Sequence, residues 1–201
     1  MKKVTRKQLQ DMVRNGENVT QVDVSGVTDM HGLFLNAKDF NQDIGGWDTS
    51  NVRRMDEMFL WAESFNQNIS SWDVSNVETM GGMFHGASAF NQPIGSWDTS
   101  KVTVMTSMFW DATSFNQPLN PWDVSRVVRM CCMFLGARAF NQPLDSWNVS
   151  SVNIMRSMFR RASRFNQDLR KWDISNVKDD TQMFRGASSF DMAYAPKRNK
   201  R

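Results

Sequence analysis

The stretch FNQNISSWDVSNVETMGGMF, residues 65–84, decides the fold because the chain writes it repeatedly at one spacing. FNQDIGGWDTSNVRRMDEMF precedes it at 40–59, and FNQPIGSWDTSKVTVMTSMF follows at 90–109. Six of the eight tryptophans stand at 47, 72, 97, 122, 147 and 172, an interval of 25 residues without a slip. Phe40, Phe65, Phe90, Phe115, Phe140, Phe165 and Phe190 keep the same interval, as do Phe34, Phe59, Phe84, Phe109, Phe134, Phe159 and Phe184. A period of this size without insertions means a stacked repeat array, each unit burying the flank of its neighbour.

Within one unit Met55, Met58, Phe59 and Ala62 fall at i, i+3, i+4 and i+7, the stripe of an amphipathic helix of about ten residues. Ser50 and its equivalents Ser25, Ser75, Ser100, Ser125, Ser150 and Ser175 stand where an N-cap belongs. Ahead of the cap, Trp47-Asp48-Thr49 and its copies alternate apolar and polar, which reads as a three-residue strand with Asp outward. A strand, a helix and an identical strand 25 residues later predict an α/β array with a parallel ladder and right-handed crossovers. Seven strands give about 29 Å of ladder. Pro93, Pro118 and Pro143 share a column that therefore needs no backbone N–H.

The ends depart from the pattern. Thr5-Arg6-Lys7-Gln8 has capping-box spacing, Leu9, Met12 and Val13 make a helical stripe, and Gly16 is a natural stop. The expected organisation is an N-terminal helical cap over 1–18, the repeat array over 19–190, and a basic tail over 191–201.

The repeat phrase FNQ-x-I-x-x-W-D-V-S-x-V-x-x-M-x-x-M-F-x-x-A, as in Phe65 to Ala87, resembles the BspA-like leucine-rich-repeat-type family, a 25-residue mycoplasma-type domain of unknown function. The resemblance covers Val19 to about Phe190. It implies a right-handed solenoid of the leucine-rich-repeat kind, with a parallel sheet of about seven short strands and one short helix per repeat. For many members it also implies a role at cell surfaces, in adhesion or host contact.

Composition narrows the classes. Apolar residues make up 40% of the 201, enough for a core. MKKVTRKQLQ lacks the apolar run of a secretory signal, and no stretch approaches the roughly 20 apolar residues of a membrane span. The expected setting is the cytoplasm or a viral or cellular assembly, with the cell surface reserved for a chain whose leader has been removed. Cys131 and Cys132 are adjacent, poorly spaced for a disulfide or a shared metal, and read as free thiols or as redox groups.

Three sets of columns carry the functional expectations. Asp23, Asp48, Asp73, Asp98, Asp123 and Asp173, with Asn148 between, form an outward ladder whose like charges repel by about 0.9 kcal/mol per pair at the dielectric of water. Either each Asp accepts a backbone hydrogen bond two residues on and shapes a turn, or the ladder docks a basic partner or a cation. Asparagines 41, 66, 91, 116, 141 and 166 read as a ladder that satisfies backbone groups.

The column Leu35, Leu60, His85, Trp110, Leu135, Arg160, Arg185 lies about 150° from the apolar stripe of the expected helix. Leu35, Leu60, Trp61, Trp110 and Leu135 therefore form a candidate partner strip. Charge is lopsided: residues 1–100 hold eight basic and thirteen acidic side chains, residues 101–201 sixteen and eight. Arg156, Arg160, Arg161, Arg164, Arg170 and Lys171 make a candidate basic patch for an anionic partner or the acidic end of another copy. Exposed aromatics are not interleaved with these arginines, which argues against nucleic acid. Lys197-Arg198-Asn199-Lys200-Arg201 has the composition of a nuclear-import signal or an ordinary basic tail.

No Gly-rich phosphate loop, nucleophile triad or metal-ligand spacing interrupts the repeat, and the two histidines sit in unrelated columns. The expected function is a non-enzymatic, cofactor-free scaffold for binding another protein or for adhesion. The competing expectation is a structural subunit of a larger assembly that self-associates.

Overall fold

The computed structural model describes residues 1–197. Each 25-residue unit makes one coil, and successive coils lie in register. Single parallel bridges join Asp29 to Arg54, Arg54 to Thr79, and so on through Val104, Arg129 and Ile154 to Asp179. Coil 1 is the one carrying Asp29 and coil 7 the one carrying Asp179.

The segment that predicts a helix is a ladder of turns instead. The N–H groups of Met55, Glu57, Phe59 and Trp61 donate to the carbonyls of Thr79, Gly81, Met83 and His85 in the next coil, at 2.7–3.1 Å. Between them, Met58, Leu60 and Ala62 donate back to carbonyls three residues earlier. An α-helix would need bonds to the fourth residue back. Two left-handed residues per coil enforce the alternation: Glu57 has φ 55° and Trp61 φ 58°, and the other coils repeat both positions, as at Ser107, Asp111, Ser157 and Arg161. Gly86 at φ 70° and Gly136 at φ 67° occupy the second position without the cost a Cβ brings there.

The expected fold class is therefore corrected. Among the described residues there is no helix per repeat and no parallel sheet of seven strands. The regular elements among the described residues are strand β1 (Lys2–Lys3), helix α1 (Arg6–Arg14), strand β2 (Val22–Asp23) and a 3-10 helix at Met192–Tyr194. The remainder is irregular backbone built from turns. The expected strand at Trp47-Asp48-Thr49 does not form, because Trp47 N–H turns back to Ile44 and Val52 N–H to Thr49. The serines expected to cap helices follow Asx-type turns and cap nothing.

The core runs along the stack as rows of identical rings. Phe34, Phe59, Phe84, Phe109, Phe134, Phe159 and Phe184 stack with centroids 5.2–5.8 Å apart. The Phe40 to Phe190 row repeats at 5.8–6.1 Å. Within each coil the two rows touch, as Phe59 and Phe65 do at 3.9 Å. Met55, Met58, Ala62, Ile69 and Trp72 close the same core.

Where the backbone ladder ends, side chains continue it. The indole N–H of Trp122 donates to the carbonyl of Ile94, 28 residues back, at 2.9 Å, and every tryptophan from Trp47 to Trp172 in that column does the same. The Oδ1 of Asn91 accepts from the backbone N–H of Asn116 and from the side chain of Gln117. The same bond runs from Asn41 to Asp191. No buried side-chain N or O among the described residues lacks a partner.

The first coil is covered. Helix α1 starts at a complete capping box, with the Thr5 hydroxyl accepting from Gln8 N–H and the Gln8 side chain accepting from Thr5 N–H. It ends in a Schellman pair, Gly16 N–H to Val13 and Glu17 N–H to Met12. Strand β1 pairs in parallel with β2. Arg6 donates through Nε to the carbonyl of Asp29 (3.0 Å) and through Nη2 to that of His31 (2.6 Å). Its guanidinium thus takes the place of the N–H row that a preceding coil would supply. At the far end the N–H groups of Gln182, Phe184 and Gly186 meet no acceptor among the described residues. Residues 192–194 fold back there, and Leu169 N–H donates to Tyr194.

Candidate interaction face

The turn ladder has a wet side. In coil 2 the side chains at 55, 58, 59, 62 and 65 enter the core and those at 56, 57, 60, 61, 63 and 64 are partly or fully exposed; the other coils follow with exceptions such as Leu135 and Ser157, which are buried. Inter-coil bonds hold this face rigid.

The candidate strip divides. Leu35 and Trp61 are exposed, at 44% and 39%, and Leu60 and Trp110 are half-buried. Leu135 is buried, at 9%, between the column positions of Trp110 and Arg160, so it offers little contact area. The rings join into one run. Trp61 lies 5.0 Å from His85, and His85 stacks on Trp110 at 4.5 Å with planes 7° apart. Trp61 reaches His85 because the indole lies across Gly86, where a Cβ would collide with it. Burial pushes the pKa of His85 down, against the upward pull of Asp111 and Glu57. His85, Glu57 and Asp111 complete the face but were not among the expected strip residues. The glycine at 86, facing a tryptophan one coil back, was the available signal.

The basic patch also divides. Arg170 is held by Asp168 at 2.6 Å and lies 5.8 Å from the Tyr194 ring; Lys171 pairs with Asp145 at 3.3 Å. Arg156, Arg160, Arg161 and Arg164 stand on the turn ladder of coil 6, with no ion pair among the described residues. Arg185 follows in coil 7. Acidic groups hold the opposite end of the same face: Asp39 in coil 1, and Asp56, Glu57 and Glu63 in coil 2. Asp56 is tied to Arg54 at 3.3 Å and Glu63 to Lys38 at 2.8 Å. Lys197 is exposed, and the rest of the basic motif, residues 198–201, lies outside the described residues.

The aspartate column has a local task. Asp23, Asp48, Asp73, Asp98, Asp123 and Asp173 each accept at Oδ1 from the backbone N–H two residues on, at 2.9–3.1 Å. Asn148 makes the same bond at 3.2 Å. The serine hydroxyl and N–H lower the carboxyl pKa at Asp23, Asp48 and Asp98. At Asp173 the Ser175 N–H leads, at Asp179 the Thr181 hydroxyl does, and Arg170 holds Asp168 down to about 2.

These depressed values fix a sign. A carboxyl with a lower pKa folded than unfolded stabilises the fold above its ordinary value, 3.8, and loses that contribution as pH falls through the folded value. Calorimetric Tm should therefore be level at neutral pH and fall as the pH drops from about 4 to about 2. Replacing Asp98 with Asn, as at position 148, should reduce the slope and leave the neutral-pH fold in place.

Cys131 and Cys132 are free. Cys131 Sγ lies 3.5 Å from the Thr106 hydroxyl, and burial raises the pKa of Cys132, which disfavours its thiolate. No three His, Cys, Asp or Glu side chains converge among the described residues. No helix among them is long and apolar enough to cross a membrane.

A family model described as "Mycoplasma protein of unknown function, DUF285" matches residues 3–117 and again 91–196. No curated protein matches the chain, and no solved structure does.

Proposed function

We propose a function for a chain that belongs to the family of Mycoplasma proteins of unknown function, DUF285: it is a non-enzymatic repeat scaffold whose turn-ladder face binds another protein, as adhesion within the BspA-like group would require. One observation carries this reading. The Trp61, His85 and Trp110 rings run partly exposed along a rigid face, with Leu60 beside them and charged groups at either end. Apolar rings within a polar rim are the composition of a protein contact site. The aspartate ladder, by contrast, spends an oxygen of each carboxylate on its own backbone, which favours shape over docking.

The test is a Trp61→Ser, Trp110→Ser double variant. With its Tm close to that of the unaltered protein, it should lose any partner that the unaltered chain retains after chemical cross-linking and mass-spectrometric identification. Undiminished capture of the same partner would remove the face from the account.

A further inference from the structure

The turn-ladder face is complementary to itself under a two-fold rotation, and we infer that its partner is a second copy of this chain, docked antiparallel, face to face. The inference rests on the binding role just proposed and names the partner.

A two-fold axis at coil 4, lying in the plane of the contact and at right angles to the stack, pairs coil 2 with coil 6 of the second copy, coil 3 with coil 5, and coil 4 with itself. Such an isologous contact needs one patch that satisfies both of its own halves. Here coil 2 carries Asp56, Glu57 and Glu63 with Asp39 nearby, while coil 6 carries Arg156, Arg160, Arg161 and Arg164. No acidic side chain is within ion-pair distance of those arginines among the described residues, and each stands on the wet side of the ladder. Glu57 likewise has no ion pair among the described residues. The rotation therefore brings an acidic end onto an unneutralised basic end twice, with the aromatic run between them.

The axis also passes the one like-charge hazard. Asp111 is in coil 4, but its carboxylate lies across Gly136 of coil 5, where a Cβ would collide with it. The two copies' Asp111 groups thus lean away from the axis, each toward coil 3 of the other chain, which carries His85. The ends of the stack offer no equivalent pairing. Arg6 and α1 cover the first coil, and the last coil presents N–H donors that two tail-to-tail copies would oppose donor to donor. A face about 29 Å long, held largely by charge, belongs to the weak and salt-sensitive class of interfaces.

Sedimentation velocity on the full chain, at low and at high salt, tests this. The expected result is a monomer–dimer equilibrium at about 50 mM salt whose dissociation constant rises at least about tenfold at about 500 mM, as the screening length shrinks toward a few ångströms. Arg160→Glu/Arg161→Glu/Arg164→Glu should be monomeric, and so should Asp39→Arg/Glu57→Arg/Glu63→Arg. An equimolar mixture of the two variants should dimerise, since each supplies what the other has lost at both contacts. Circular dichroism checks that each variant retains the fold. A wild-type monomer at both salts, dimers of either variant alone at wild-type strength, or a mixture that stays monomeric overturns the inference. Any of these, with a different protein still captured by Trp61 and Trp110, leaves the binding role standing and rejects only self-pairing.

Discussion

Phe109→Ala is expected to lower the unfolding free energy by about 3–5 kcal/mol. Phe109 is fully buried and touches rings on three sides: Phe84 at 5.7 Å, Phe134 at 5.5 Å and Phe115 at 4.2 Å. Deleting it leaves a ring-sized gap at the middle of the stack, and the adjoining coils cannot close it without breaking the ladder bond from Phe109 N–H to Met133. For a chain of this length the loss corresponds to roughly 6–20 °C in Tm. Phe184, half-buried in the last coil with a ring neighbour on one side only of its row, should cost clearly less. Thermal unfolding of the two variants side by side checks the gradient; equal losses would contradict a core that runs the length of the stack.

Trp122→Phe is expected to cost about 2–4 kcal/mol, even though it keeps an aromatic ring. The change removes the indole N–H and leaves the carbonyl of Ile94 only its longer bond from Trp97 N–H, 3.2 Å against the 2.9 Å of the indole. It also removes the outer ring from a stack in which Trp97 lies 6.3 Å away. Urea denaturation monitored by far-ultraviolet circular dichroism reads the effect, because the fluorescence of the remaining tryptophans shifts for other reasons. A cost under about 0.5 kcal/mol would mean that the indole bond contributes shape alone.

Much of this was legible in the letters. The register was, because identical side chains 25 residues apart can stack only if their coils align. So were α1 and its capping box, which depend on Thr5 and Gln8 alone. The backbone between Met55 and Ala62 was not. The positions i, i+3, i+4 and i+7 share a face in an α-helix, and they also share one in a chain of three-residue turns that reverses hand at every fourth residue. Periodicity does not separate the two. Backbone chirality does: Gly32, Gly82, Gly86, Gly136 and Gly186 fall only at the two left-handed positions, with Asn36 beside them. Glu57 and Trp61 hid that pattern, since neither is a residue from which a left-handed conformation is usually inferred. The interaction face was half legible for the same reason. A helix would have set Trp61 apart from His85, and the left-handed turn brings them together.

The bonding along the turn ladder has a direction, each coil giving its N–H groups to the one that follows. A 25-residue cassette spliced between any two coils would bring its own donors and acceptors and find both already matched. Length in such a protein is therefore a free parameter, adjustable in whole steps of about 4.8 Å. The molecule is a ruler whose span a duplication can lengthen while the Arg6 stopper at its origin stays where it is.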